Sequence, residues 1–273
     1  MDETACKICN NKTEKLFQGK ILNKHIVQYY QCTHCQFIQT EKPYWLAEAY
    51  SSAIGEQDIG LLRRNNKLVP QVVEIFQRSR INSDSKFLDY GGGMGVFVRL
   101  MRDEGYDFYL YDKYCENKFA QHFQIEDLQN QYFEAITAFE VFEHLEQPKE
   151  DIKTMLQHSD MLIFSTELQP NIQFKSINDW WYFAPLGGQH IALYSKQSLE
   201  ELAQQFGVYF YTNGTHIHVF SKKEIPHPFQ QKKSIKNIFV RIGQKLIRIF
   251  EDKPIKRKSL ISSDEEQILK KLQ

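Results

Sequence analysis

Between Leu88 and Phe97 the sequence reads LDYGGGMGVF, four glycines in five positions with an apolar run on either side. Glycine loses the most chain entropy on ordering, so neither a strand interior nor a helix interior would select this composition. The economical reading is a strand, a tight turn and a helix start, where something comes close to the backbone. A Rossmann dinucleotide fingerprint needs a third glycine three residues after the second. Val96 and Val98 stand at those positions, so that pattern fails. What remains is Asp89-x-Gly91-x-Gly93-x-Gly95, an acidic residue at a strand end followed by alternating glycines.

The flanking sequence alternates short apolar strands with amphipathic helices. KFLDYG reads as a strand, VFVRLMRDEG as a helix closed by Gly105, and DFYLYD as a second strand. YFEAITAF and DMLIFST are two more strands, separated by a helix from about Pro148 to Gln157. SKQSLEELAQQFG is a helix stopped by Gly207, and VYFYT and HIHVFS flank Asn213-Gly214, a strong hairpin signal. This order predicts an α/β fold built on a mostly parallel sheet with an antiparallel last strand. Upstream, Leu61 to Arg80 carries a helical apolar pattern in which Pro70 predicts a kink or break.

Four of the five cysteines are paired as CKIC (Cys6, Cys9) and CTHC (Cys32, Cys35), with 22 residues between the pairs. Two thiolates three apart occupy two corners of a tetrahedron, and a second such knuckle supplies the others. The spacing predicts a structural zinc site, since four thiolates leave no open position for water. Fewer than about 40 residues bury little core, so the metal is expected to hold this lobe together. The organisation expected is a zinc-binding lobe over 1–45, a helical connector over 46–80, an α/β core over 81–223 and a basic amphipathic tail over 224–273.

Formal charge is zero overall, but Lys232 to Lys258 holds ten basic and two acidic residues, leaving an acidic body. An acidic body argues against a nucleic-acid partner, which needs a basic face to displace counterions. In the tail, Ile235, Ile238, Phe239, Ile242, Leu246, Ile249 and Phe250 recur at helical spacing, with basic residues largely off that stripe. Such a helix docks on protein or lies peripherally on an anionic membrane. No stretch approaches the roughly 18 apolar residues of a membrane span, and MDETACKICN lacks the features of a signal peptide, so a cytoplasmic location is expected.

The acidic residue and alternating glycines resemble the first motif of class I S-adenosylmethionine-dependent methyltransferases. That resemblance implies their Rossmann-like fold, with the turn of Asp89, Tyr90, Gly91, Gly93 and Gly95 against the methionine part of the cofactor. The acidic side chain there helps bind the cofactor's charged amino group. Asp112, 19 residues past Gly93 at the end of the second strand, stands where a carboxylate accepts both ribose hydroxyls. AFEVFEHLEQP matches a further family segment, placing Phe139 and Glu140 at a strand end beside the cofactor, followed by Glu143-His144.

A four-cysteine lobe ahead of such a core, with C-x-x-C-x-x-x-Q-T (Cys32 to Thr40) and Tyr50 nearby, looks like bacterial methyltransferases that modify deoxysugars and related glycans. The acceptor this implies is a small molecule or glycan. Some members of that group transfer to carbon, using a histidine as base. His190, in GGQHIALYS, and His144 are the candidate bases. Trp180, Trp181, Tyr182 and Phe183 are either a stacking platform for a sugar or an aromatic core plug. An RNA methyltransferase with a zinc lobe and a non-catalytic binding module are the alternative functions.

Overall fold

Period-two burial along Thr13–Ile21, where Phe17, Gly19 and Ile21 point inward and Gln18 and Lys20 outward, makes this segment a half-buried strand, β1. In the computed structural model, which describes residues 5–50, 59–126, 128–229 and 257–272, β1 pairs antiparallel with β2 (His25–Cys32). β2 in turn pairs with β3 (Ile38–Thr40). A short helix α1 (Leu46–Ala49) follows. Helix α2 (Leu61–Ser79) buries Leu68, Val69, Val72, Ile75 and Phe76 and ends at Arg80, whose φ is 54°. Of the kink or break expected at Pro70, the break does not occur: the helix continues through it, with buried apolar residues on both sides of the proline.

The α/β core then runs β4 (Lys86–Tyr90), α3 (Val96–Asp103), β5 (Asp107–Tyr111), β6 (Ala135–Ala138), α4 (Pro148–Gln157), β7 (Met161–Ser165), β8 (Ala192–Leu193), α5 (Lys196–Phe206), β9 (Tyr209–Thr212) and β10 (Ile217–Ser221). The six-stranded sheet has the order β5-β4-β6-β7-β10-β9. β5, β4, β6 and β7 are parallel, and β10 inserts antiparallel between β7 and β9. β6, β7 and β10 are buried along their whole length, as expected of sheet covered on both faces. The loop between β9 and β10 is held by the Asn213 carboxamide oxygen, which accepts the N–H groups of Thr215, His216 and Ile217. This is the predicted mostly parallel α/β sheet with its reversed last strand.

β8 does not join that sheet. It pairs antiparallel with β3, Ile38 opposite Leu193, and completes a second sheet of order β1-β2-β3-β8. The cysteine-bearing segment is thereby stitched to the core, and Cys6, Ile8, Cys32, Cys35 and Phe37 share one apolar cluster with Phe142, Tyr194 and Leu199.

Helix α6 (Ile261–Leu272) returns to α3 through a buried ion network. The Arg102 guanidinium donates to both Asp264 oxygens (2.8 and 2.7 Å) and stacks 3.7 Å above the Phe123 ring. Arg99 adds a third bond to Asp264 at 2.9 Å. The amphipathic stripe read over Ile235 to Phe250 lies outside the described residues. Among the described residues, no helix is long and apolar enough to cross a membrane.

Removing one partner of a buried ion pair strands the other. Asp264→Ala should therefore cost about 3 kcal/mol in urea unfolding and expose α6 to proteolysis. A loss below about 1 kcal/mol would remove this anchor from the stability of the core.

Candidate functional site

The glycine turn joins β4 to α3, with Gly91, Gly93 and Gly95 all at positive φ (70°, 60° and 85°). A Cβ at Gly91 would stand 2.7 Å from Val141, one at Gly92 2.3 Å from the Asp89 carboxylate, and one at Gly95 2.8 Å from Ala120. The chain itself excludes side chains at those three positions. Gly93 differs, because a Cβ there meets nothing within 4 Å. The close approach expected from the sequence is thus open to a ligand at Gly93.

Asp112, just past the end of β5, shapes this turn. Its Oδ2 accepts the Gly93 N–H at 2.8 Å, and its Oδ1 accepts the N–H groups of Tyr114 and Cys115 at 2.8 and 2.7 Å. A carboxylate has about four acceptor sites and three are taken here, so Oδ2 can still receive one ligand hydroxyl. A cleft of about 610 Å³ opens beside it, lined by Leu110, Asp112, Cys115, Asn117 and Ile125 among others. Asp89 is 2% exposed, and Thr137 donates to its Oδ1 at 2.7 Å. Burial pushes its carboxyl up to about 7, the Thr137 bond opposing and the Asp112 charge adding to the rise. Tyr90 lies beside Tyr111, 5.2 Å between ring centroids.

At the end of β6, Phe139 packs edge-on against Phe97 of α3. Glu140 takes a left-handed backbone, φ 55°, and is held there by Ser165. The Ser165 hydroxyl accepts the Glu140 N–H at 2.8 Å and donates to its carboxylate at 2.9 Å. The strain of that conformation is of order 1 kcal/mol and is commonly found where a chain is shaped for function.

Beyond Glu140 a single 3-10 turn, Phe142–His144, carries Glu143 and His144 to face His190, which precedes β8. The two imidazole rings meet edge-to-face with centroids 5.1 Å apart. His190 Nδ1 donates to the Tyr182 carbonyl at 2.6 Å, which leaves Nε2 as the acceptor nitrogen. His144 Nδ1 is 3.1 Å from the Tyr50 hydroxyl, and the Tyr50 ring stacks on Tyr114, 5.7 Å between centroids. A continuous line of contacts therefore runs from Asp112 through Tyr114 and Tyr50 to the histidine pair. Burial depresses His144 to about 3, with His190 adding repulsion, and depresses His190 to about 4, so both rings are neutral at pH 7. Glu143 has no exposure, and burial holds its carboxyl well above the usual range, with Glu140 contributing.

The aromatic segment divides. Trp180, Tyr182 and Phe183 are buried in one cluster with Phe17 and Tyr29, while Trp181 is 72% exposed beside Tyr182. It is a core plug with one ring left outside.

The four paired cysteines converge. Cys6 and Cys35 sulfurs are 3.6 Å apart, Cys9 and Cys32 3.4 Å, and Cys9 and Cys35 3.6 Å. These separations far exceed a disulfide's roughly 2 Å. Zinc with bonds of about 2.3 Å sets four tetrahedral sulfurs roughly 3.8 Å apart, and the cluster is close to that size. Backbone N–H groups of Ile8, His34 and Cys35 point at the sulfurs, each at 3.4 Å, as suits thiolate charge.

Glu143, half of a Glu-His pair in the sequence, is the site residue whose burial no local pattern signals. Nothing local distinguishes it from a surface glutamate, and the residues it interacts with, Tyr182 and Tyr194, lie far along the chain.

The sequence model of a family described as "Methyltransferase domain" matches residues 62–213. No curated protein matches the sequence. Among solved structures, CalO1, a methyltransferase in calicheamicin biosynthesis in its SAH-bound form, is 13% identical with a TM-score of 0.39. That match covers 66% of this chain and 60% of CalO1, so this chain spans under two thirds of that protein. Magnesium protoporphyrin IX methyltransferase (ChlM) from Synechocystis PCC 6803 with bound SAH is 11% identical, TM-score 0.41, covering 65% of this chain and 94% of that one. The plantazolicin methyltransferase BpumL, in complex with a monoazolic desmethylPZN analog and SAH, is 11% identical, TM-score 0.45, covering 66% and 93%.

The buried Asp89 carboxyl has a testable consequence. Its folded-state value of about 7 lies above the ordinary carboxyl value of 3.8, so its contribution to stability is full below 3.8 and is lost as pH rises through 7. Asp89→Asn should therefore gain stability relative to the ligand-free parent between pH 4 and 7, by up to about 4 kcal/mol in urea titrations. A pH-independent difference would show that Asp89 does not titrate in this window.

Proposed function

Because this chain belongs to the methyltransferase-domain family, we propose that it moves the methyl group of S-adenosylmethionine to a small-molecule or glycan acceptor. The observation that carries this reading is the joined pair of half-sites. An open glycine turn with two carboxylates is linked through Tyr114 and Tyr50 to two neutral imidazoles.

When bound, S-adenosylmethionine supplies an electrophilic methyl group on a cationic sulfur. The residues around the turn fit it. The space at Gly93 admits the methionine part, and the buried Asp89 charge complements its ammonium group. Asp112 accepts a ribose hydroxyl and the cleft beside it receives the base, while Tyr90, Gly91 and Gly95 at the exit of β4 and Phe139 and Glu140 just past β6 stand at the neighbouring strand ends. Methyl transfer is an in-line displacement, so positioning supplies most of the rate. A proton acceptor is needed only for an acceptor that must lose a proton. His190 and His144, uncharged at neutral pH, sit on that side. Trp181 offers an exposed flat face of the kind on which a sugar ring stacks.

The four cysteines are read as a structural zinc site that pins the ends of β2 and the N-terminal loop. No open coordination position remains there for chemistry.

Calorimetry should show S-adenosylmethionine binding that Asp112→Asn weakens about tenfold or more, the scale of a charged hydrogen bond. His190→Ala should leave that affinity nearly unchanged and lower turnover on the true acceptor, found by a labelled-methyl screen over nucleotide sugars, by roughly 10²-fold. Wild-type protein that binds NAD and not S-adenosylmethionine would sink the assignment. For the metal, titrating the thiols with an organomercurial should release one zinc per chain, and Cys9→Ser should loosen the N-terminal sheet to protease. Release of no zinc from freshly purified protein would return the cysteines to free thiols.

A further inference from the structure

Glu143 poses a problem that methyl transfer alone does not solve. Its side chain is fully buried, and neither carboxylate oxygen has a hydrogen-bond partner among the described residues. An unpartnered buried carboxylate costs several kcal/mol unless a cation or donor meets it. The Tyr182 hydroxyl stands near it, and the two imidazoles face it as well. Glu143, His144 and His190 each offer one ligand atom, and the three atoms lie within 4.8 Å of one another.

Two imidazole nitrogens and one carboxylate oxygen are a ligand set used for divalent first-row cations with open positions left for water or substrate. The surrounding contacts match what such ligands need. The Nδ1–H of His190 is tied to the Tyr182 carbonyl, which fixes the ring and directs its lone pair to Nε2. His144 is oriented by the Tyr50 hydroxyl, and the backbone of Glu143 is pinned where Ile191 N–H donates to its carbonyl at 2.9 Å. Both histidines keep partial exposure while Glu143 has none, so the cluster opens on the imidazole side.

We propose that Glu143, His144 and His190 form a second metal centre, distinct from the cysteine cluster, that holds one divalent cation and presents it to the acceptor. This rests on the acceptor-side reading of the two histidines and replaces their action as free bases. A hydroxyl bound to the cation is acidified. Its proton passes to solvent water as the oxygen forms its bond to the methyl carbon. The carbon–sulfur bond breaks, its electron pair stays on sulfur, and the sulfonium becomes a neutral thioether. No oxidant or reductant enters.

Mn²⁺ is the probe, because this hard cation favours nitrogen and oxygen ligands over thiolates. Full-length protein, stripped with chelator and monitored by electron paramagnetic resonance, should bind one Mn²⁺ per chain. Glu143→Gln, which keeps the side-chain shape, and His190→Ala should each weaken that binding about tenfold or more, while Cys9→Ser should leave it unchanged. Co²⁺ gives the second readout: weak visible bands from this centre, without the intense thiolate charge transfer of the cysteine site. Failure to bind Mn²⁺, or equal binding by wild type and Glu143→Gln, overturns the metal centre. So does turnover that is indifferent to chelator yet lost in His190→Ala, which would return the histidine to a free base. Each of these results leaves the cofactor reading standing, since calorimetry with S-adenosylmethionine tests that reading by itself.

Discussion

The hydrogen bond from the Gly93 N–H to Asp112, with its companion from the Gly91 N–H to the Tyr111 carbonyl at 2.7 Å, locks the exit of β4 to the exit of β5. Adjacent parallel strands need their ends held level if a loop from one is to form a wall against the other. Here two N–H groups of the turn are tied to the end of β5, one by the Asp112 carboxylate and one by the Tyr111 carbonyl. The start of α3, the open space at Gly93 and the position of Tyr114 all follow from it. Through the stacking of Tyr114 on Tyr50, the same tie sets where His144 sits.

Buried charge is handled in two different ways in this molecule. Between α3 and α6, Arg102 and Asp264 are each 3% exposed and saturate one another, with Asp107 and Arg99 closing the network. Near the glycine turn and the histidines, Asp89 and Glu143 are buried just as deeply without a cation among their hydrogen-bond partners. A folded chain tolerates a partly satisfied polar group where something outside the fold completes it. The contrast separates the part of the protein built to be stable from the part built to receive.

Much of this was legible in the sequence because it is local. The glycine turn, the Pro148 helix start, the Gly207 stop and the Asn213-Gly214 reversal each rest on residues within a few positions of one another, and each appears where expected. The four cysteines were legible because their spacing carries the geometry. What escaped depends on partners distant in the chain. Pro70 is carried inside a helix by packing that no propensity records. Gly91 and Gly95 are required by Val141 and Ala120, neither of which belongs to the motif. Trp180, Tyr182 and Phe183 became core because Phe17 and Tyr29, from the N-terminal sheet, were there to receive them.

The pairing of β3 with β8 has a consequence for how the molecule is made. Ile38 leaves the ribosome long before Leu193, and until β8 arrives one edge of the N-terminal sheet has open backbone donors and acceptors. The intervening chain, which includes most of the parallel sheet, must be synthesised before that edge can close. Long-range pairings of this kind slow folding, because loop closure precedes the contacts that reward it. The sheet that is translated ahead of the parallel core is thus finished after it, and the histidine two residues before β8 is set in place by the same late step.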